Sequence, residues 1–341
     1  MAYKKIVLQA FGGPEQLKVV EEPELPEPVA GEVRVKVLAA GTGFTDTIVR
    51  QGQYVDVKDK PPFVPGYDWF GVVDKVGQGV EGFREGDHVA DMPVIGGYTE
   101  YLCVSADQLV KAPAGLDPAE AVAMILSYTT AYQMLTRIRN IKPGSSCLVH
   151  AAGGAVGTAL LELCRLQGLV VYGTASAGKK SLVERFGATH IDYRQAAFET
   201  ELMSHEPDGV DVVFDTLGGK SWSRSYKCLK KGGLLVAYGA LQLTTGEEKL
   251  PSLILGFAKL SLFWKLIPDG KQATFYNIQR RRGSHPEEFK ADVSTLFDLL
   301  AQGKLKPAIA ERMPLTQVAD AHRRIDKAAV EGKIVLINQH A

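Results

Sequence analysis

Ser146-Cys147-Leu148-Val149-His150-Ala151-Ala152-Gly153-Gly154-Ala155-Val156-Gly157-Thr158-Ala159-Leu160-Leu161 reads as a short apolar strand, a turn of small residues and the start of a helix. Within it Ala152-x-Gly154-x-x-Gly157 fits the dinucleotide fingerprint, with Ala in place of the first Gly. Each position has a physical job. Ala152 is small enough for the tight turn, Gly154 lets a pyrophosphate approach the backbone, and Gly157 lets the helix pack closely on the strand. The helix start, with Gly153, Ala155 and Val156 beside these residues, offers N–H groups and a partial positive charge to phosphates. Six residues alone fit a ligand-free turn equally well, so the flanking sequence decides.

Downstream, residues 169–173, 190–193, 210–214 and 234–238 read as strands, and residues 179–186, 198–204 and 221–229 as helices. Strands alternating with helices at this spacing predict a Rossmann-type, doubly wound parallel sheet. Residues 273–276 are expected as a sixth, edge strand. Ligands of such sheets sit beyond the carboxyl ends of the strands. Upstream, residues 4–10, 17–21, 32–37, 72–77, 88–90 and 97–104 read as strands between Gly- and Pro-rich turns, an irregular barrel. This part is expected to cover the nucleotide crevice and supply the substrate side. Residues 118–139 predict one long helix. The tail predicts helices over 286–302 and 315–326 and a last strand over 333–337. No internal repeat and no low-complexity segment is visible.

The chain has 341 residues, enough for two ordinary domains. Lys+Arg and Asp+Glu both number 39, so no basic excess argues for a nucleic-acid partner. Four scattered cysteines without C-x-x-C spacing suit a reduced, cytoplasmic protein. The N-terminus runs straight into strand-like sequence, so no signal peptide is expected. The most apolar stretch, residues 250–267, is interrupted by Lys259 and Lys265 and falls short of a clean spanning helix.

The end of the second strand of such a sheet selects the dinucleotide. An acidic residue there bonds a ribose 2′-hydroxyl; cations take a 2′-phosphate. Here Tyr172-Gly173-Thr174-Ala175-Ser176-Ala177-Gly178-Lys179-Lys180 carries hydroxyls and two lysines and no acid, and Tyr193-Arg194 follows the third strand. Thr174, Ser176, Lys180 and Tyr193 are therefore the expected 2′-phosphate contacts, and NADPH the expected cofactor.

Seven further pieces share one order and spacing: Ala39-Ala40-Gly41, Pro65-Gly66-Tyr67-Asp68, Gly71-Val72-Val73, Gly86-Asp87-His88-Val89, Gly96-Gly97-Tyr98-Thr99-Glu100-Tyr101, Thr129-Thr130-Ala131-Tyr132 and Gly332-Lys333-Ile334-Val335-Leu336. With the glycine turn they cover nearly the whole chain. The chain resembles the medium-chain dehydrogenase/reductase superfamily, in its zinc-free quinone oxidoreductase group. The run from Tyr172 to Ala177, with Ile191-Asp192-Tyr193 and Leu217-Gly218-Gly219, is similar to the vesicle amine transport protein homologue branch. The resemblance implies an α/β protein with a β-rich GroES-like catalytic domain, residues 1–125 and 280–341, and an NADPH-binding Rossmann domain, residues 126–279. It implies a homodimer formed by edge-strand addition near residues 272–278.

The resemblance also makes zinc a definite question. At the positions where zinc-using members carry their ligands, this chain has Gly43, Tyr67 and Leu126. A catalytic zinc needs about three N, S or O ligands and an open position, so no metal is expected. His88 and His150 are isolated in the sequence and read as structural. Without a Lewis acid, reduction of a quinone or an activated C=C is the expected chemistry. It needs orientation, a hydrogen-bond donor for the carbonyl oxygen and a dry cleft. By similarity, Tyr54 faces the substrate, either as that donor or as an aromatic packed over the cleft. Tyr67 points toward the site or fills the metal's volume. Thr130 matches a threonine near the nicotinamide; Tyr238 and Gly239 flank that ring, Phe275 and Tyr276 wall it, and Lys333 approaches the cofactor from the tail. Enoyl-thioester reduction and a low-turnover NADPH-binding role are the rivals. For residues 250–267 a cleft cover or subunit contact comes first, then a greasy substrate mouth, then a membrane-surface helix. Arg280-Arg281-Arg282 reads as a solvated loop.

Overall fold

The computed structural model describes residues 1–338 and divides into two compact units, Met1–Thr129 with Pro286–Ala341, and Thr130–His285.

The second unit is built on a six-stranded sheet, every pair of which is parallel. Its order is Thr189–Asp192, Val170–Ala175, Ser146–Val149, Val210–Asp215, Leu229–Ala237, Gln272–Phe275. The first strand in sequence therefore lies in the middle, and the winding reverses on either side of it. That is the switch point at which such sheets take their ligands. The strands are buried on both faces, as all-parallel strands covered by helices must be; Cys147, Leu148, Val149, Val213 and Leu235 are fully buried. The expected sixth strand is present as Gln272–Phe275, hydrogen-bonded to Leu229–Ala237 at the sheet edge.

The first unit holds a seven-stranded sheet centred on Glu32–Gly41. That strand alternates buried and half-exposed residues, so Val33, Val35 and Val37 enter the core. It pairs antiparallel with Trp69–Val76, Tyr101–Ser105 and Lys333–Ile337. Ile6, Leu8, Trp69, Val73, Val89, Ile334 and Leu336 share its core. Two strands escaped the sequence reading, Val110–Ala112 and Ile309–Pro314. The first is too short for a periodicity, and charges interrupt the second.

The long helix expected over residues 118–139 is interrupted. Pro118–Ala123 and Thr129–Gln133 are α-helical, whereas Met124–Tyr128 and Met134–Ile138 are π turns. The Thr129 hydroxyl donates to the Met124 carbonyl, five residues back, at 2.9 Å. A π turn leaves no trace in hydrophobic spacing. Arg280–Arg282 is also corrected: it lies in a helix, Ile278–Ser284, whose start is capped by the Asn277 side chain accepting from the Arg280 N–H. Residues 250–267 form the helix Leu250–Ser261 and the 3-10 turn Phe263–Leu266. No helix among the described residues is long and apolar enough to cross a membrane.

Candidate functional site

In the second unit the glycine turn sits at the carboxyl end of the central strand. Ala151 is in the left-handed region at φ 52° and Gly154 starts the helix Ala155–Leu166 with no side-chain cap. The Ala152 N–H donates to the Thr174 carbonyl, tying the turn to the neighbouring strand. The three glycines are needed for different reasons. A Cβ on Gly157 would meet the Ala151 carbonyl oxygen at 2.3 Å and Ala152 backbone at 2.8 Å, so helix–strand packing requires it. A Cβ on Gly153 would strike the Lys179 stem at 2.5 Å. A Cβ on Gly154 would meet only the Ala151 oxygen, at 3.4 Å. The chain's own packing demands little of Gly154. With the first N–H groups of the helix unpaired within it, a dinucleotide pyrophosphate fits this turn.

The lysines divide. The Lys179 stem lies over Gly153 and is half-buried, whereas Lys180 is exposed and its ammonium lies 3.7 Å from Glu184. Of the two lysines, Lys179 is thus the one that lies over the turn, whereas Lys180, expected from the sequence at the 2′-phosphate, points its ammonium toward Glu184. Adjacent lysines at a helix start look alike in sequence; only the helix phase separates them. Ser176 is half-buried and Tyr193 half-exposed, with the Arg194 guanidinium over its ring. Thr174 does not present its hydroxyl outward. It is buried, and its Oγ1 lies 2.9 Å from His150 Nδ1.

His150, read as isolated, belongs to a buried polar row under the turn. Its Nε2 lies 3.0 Å from Ser225 Oγ, and Ser225 donates to Asp215 Oδ2 at 2.6 Å. Ser221 donates to the same oxygen at 2.8 Å, and the Leu217 N–H to Asp215 Oδ1 at 2.8 Å. Burial pushes the His150 imidazole below its ordinary value, so it is neutral.

At the far strand ends, Gly239 is required by Thr216. A Cβ on Gly239 would meet the Thr216 hydroxyl at 2.3 Å, so its close approach is internal to the chain. Tyr238 is raised above its ordinary value by burial. Thr130 is buried, and the Tyr276 hydroxyl donates to Gln133 Oε1 at 2.8 Å. Phe275 is partly exposed and packs edge-on to Trp222.

In the first unit, Tyr54 and Tyr67 meet. Their hydroxyls are 2.6 Å apart and their rings stand edge to face at 82°. Tyr67 is 1% exposed; Tyr54 is half-buried. Burial pushes the Tyr54 hydroxyl up to about 12, with the Tyr67 hydrogen bond opposing. Beneath the pair lies a carboxyl cluster that the sequence does not announce. Asp46 Oδ2 accepts from the Gly43 N–H and Oδ1 from the Tyr67 N–H. Asp68 Oδ2 accepts from the Leu126 N–H and lies 3.4 Å from Lys333 Nζ. Burial, then the nearby Asp68 carboxylate, raise Asp46 to about 7. Burial also raises Asp68, against the pull of Lys333. Lys333, expected at the cofactor, is therefore engaged inside its own unit, 3% exposed.

No group of three or more His, Cys, Asp or Glu side chains that could hold a metal exists among the described residues. Gly43 and Leu126 bring no side-chain donor, and the Tyr67 oxygen is bonded to Tyr54. The residues present do not fit a catalytic zinc.

A switch-point glycine turn on a parallel sheet in one unit, and a hydrogen-bonded tyrosine pair in the other, β-rich unit, fit an oxidoreductase of the dinucleotide-fold class. Residues 29–114 match the family described as alcohol dehydrogenase GroES-like domain, and residues 186–336 the family described as zinc-binding dehydrogenase. The synaptic vesicle membrane protein VAT-1 homolog of Danio rerio is 33% identical over 341 residues, covering 99% of this chain and 70% of that protein. The quinone oxidoreductase of Homo sapiens is 30% identical over 336 residues, covering 96% of this chain and 95% of its own. The crystal structure of Escherichia coli quinone oxidoreductase complexed with NADPH superposes with a TM-score of 0.86 at 29% identity, covering 98% of this chain and 99% of that one. The chain belongs to the medium-chain dehydrogenase/reductase superfamily, in its quinone oxidoreductase-like branch.

Proposed function

We propose that this protein is an NADPH-dependent, zinc-independent reductase of small hydrophobic quinones or α,β-unsaturated carbonyl compounds. The observation that carries the reading is the Tyr54–Tyr67 hydroxyl pair, 2.6 Å apart, at the position where zinc-using relatives carry a ligand. When bound, NADPH supplies hydride to the electrophilic carbon. The chain's residues do the rest. The Ala152–Gly157 turn and the start of the Ala155–Leu166 helix hold the pyrophosphate. Ser176, Lys179 and Tyr193 hold the 2′-phosphate. Thr130, Tyr238, Phe275 and Tyr276 flank the nicotinamide. Tyr54 donates its hydrogen bond to the carbonyl oxygen on which charge develops, and Tyr67 donates to Tyr54. In this reading residues 1–125 and 280–341 are the catalytic domain and residues 126–279 the nucleotide domain.

The decisive assay follows oxidation of NADPH and of NADH against a quinone, a small enone and a simple aldehyde, with and without chelator. Chelator-insensitive, NADPH-linked loss of quinone or enone is the expected result. Aldehyde turnover that the chelator abolishes would reject it.

A homodimer is part of the same proposal. Among the described residues the Gln272–Phe275 strand is paired on one side only, and Phe263, Leu266, Ile267 and Phe275 near it in sequence are exposed. Edge strands left open invite pairing. Sedimentation of the purified chain as a monomer would remove this element. Four free thiols support a cytoplasmic location.

A second reading has its own observation. Leu250, Ile254, Leu255, Leu262 and Leu266 are all more than half exposed, and an apolar surface with lysines nearby suits a membrane face. Co-sedimentation with anionic vesicles, lost in Ile254→Asp/Leu255→Asp, would favour a membrane-associated NADPH-binding protein.

A further inference from the structure

With a neutral imidazole, the row Thr174–His150–Ser225–Asp215 has one self-consistent arrangement of hydrogens. Asp215 Oδ2 accepts from both Ser221 and Ser225. Ser225 has then used its only proton, so its Oγ accepts from His150 Nε2 at 3.0 Å. His150 is the Nε2–H tautomer. Its Nδ1 is an acceptor, and the Thr174 hydroxyl must donate to it at 2.9 Å. The ends of three neighbouring strands are thereby joined below the glycine turn. The backbone repeats the connection: the His150 N–H donates to the Phe214 carbonyl and the Ala152 N–H to the Thr174 carbonyl.

We propose that His150 is a positioning residue for the dinucleotide: by accepting from Thr174 it holds the end of the Val170–Ala175 strand at a fixed distance from the Ala152–Gly157 turn. The inference rests on the NADPH reading above. Two phosphate contacts stand on opposite sides of this link. The turn carries the pyrophosphate; Ser176 and Lys179, which follow Thr174 closely, carry the 2′-phosphate. One NADPH spans both, so the spacing between them decides whether both contacts form together. Trp222 and Phe198 pack in the same core, and the Phe198 ring stands edge-on to His150 at 4.7 Å, which keeps water from the row. Burial holds the imidazole neutral, as the Nδ1 acceptor role requires.

The two nitrogens of His150 can be removed separately. In His150→Asn the amide oxygen takes the place of Nδ1 and keeps an acceptor for Thr174, while the Ser225 link is lost. In His150→Gln the amide nitrogen takes the place of Nε2 and keeps the donor to Ser225, while Thr174 loses its partner. Thr174→Val removes the same bond from the other side. Kd for NADPH is read by quenching of intrinsic fluorescence, and Tm by calorimetry without ligand. All three variants are expected to lose Tm. His150→Gln and Thr174→Val are expected to bind NADPH about tenfold more weakly, and His150→Asn to stay within about threefold of the parent, the scale of one buried hydrogen bond. Equal losses in His150→Asn and His150→Gln, or no loss in either, would overturn the inference. Should His150→Gln fail to fold, Thr174→Val against His150→Asn makes the same comparison. A parent protein that binds no NADPH would instead sink the reading beneath it.

Discussion

The Tyr54 and Tyr67 hydroxyls are within 2.6 Å of each other, one half-buried and the other closed off from solvent. A pair of phenols so close shares one proton along the bond and leaves the other for an outside acceptor. In the proposed reading Tyr67 is the donor along that bond, and the Tyr54 proton goes to the carbonyl oxygen. Tyr54→Phe is expected to lower kcat by about 100-fold, the cost of one donor aimed at a developing oxyanion. Tyr67→Phe should cost less, since it removes only the donor behind. Steady-state rates with a quinone check both, and equal effects would reassign the donor. Because Tyr54 is held near 12 by burial, its proton stays on through the alkaline range. A loss of kcat set by Tyr54 titrating near its ordinary value would contradict this.

Lys179 and Lys180 should separate in cofactor choice. Lys179→Ala is expected to weaken NADPH binding by about 10- to 100-fold, the worth of a charged hydrogen bond, with little change for NADH. Lys180→Ala, whose ammonium faces Glu184 in solvent, should leave both nearly unchanged. Titration with each dinucleotide decides it. The reverse order would assign the 2′-phosphate to Lys180.

Asp46 gives the first unit a pH signature. Its carboxyl is raised from 3.8 to about 7, so the folded chain holds the proton more tightly than the unfolded one. Stability from this group is complete below the unfolded value and is lost as pH rises through the folded one. About three units at about 1.4 kcal/mol each set a scale of roughly 4 kcal/mol. Asp46→Asn removes the ionisation, so the fall in stability between about pH 4 and about pH 7 should flatten. Urea midpoints across that range test it; parallel curves for the two proteins would place the titration elsewhere.

Asp68 and Lys333 form a buried pair 3.4 Å apart, and Gly41 makes room for it: a Cβ there would come within 2.1 Å of Asp68 Oδ1. Lys333→Met strands a buried carboxylate and should cost about 3–5 kcal/mol. Asp68→Leu/Lys333→Met removes both charges and should recover most of that loss. A double variant less stable than the single would show that the pair is net stabilising.

The sheet of the second unit was legible because each strand is an apolar run and each crossover carries helical spacing. The turn was legible because a pyrophosphate, a tight bend and a close helix each demand a small residue at a fixed position. Tyr54 and Tyr67 were singled out through resemblance, while their meeting, hydroxyl to hydroxyl, was not legible. What stayed hidden depended on direction and distance. Lys179 and Lys180 differ only in helix phase. The Thr174 hydroxyl points inward because His150, 24 residues away, needs a donor. Asp68 and Lys333 lie 265 residues apart and carry no shared pattern. The π turn at Met124–Tyr128 keeps the same apolar residues an α-helix would have.

The Glu32–Gly41 strand takes one of its neighbours from the far end of the chain: Val335 lies opposite Gly41, Leu336 opposite Ala40 and Ile337 opposite Ala39. During synthesis that neighbour emerges after every other strand of the sheet. Thr130–His285 is one unbroken segment and can close its sheet as soon as it leaves the ribosome, ahead of the unit that begins the chain. Until Lys333–Ile337 arrives, the central strand of the first unit has an open flank and Asp68 has no ammonium beside it. A nascent chain stalled before Lys333 would therefore hold a finished nucleotide-type sheet and an unfinished tyrosine site, and its vulnerable part would be the part made first.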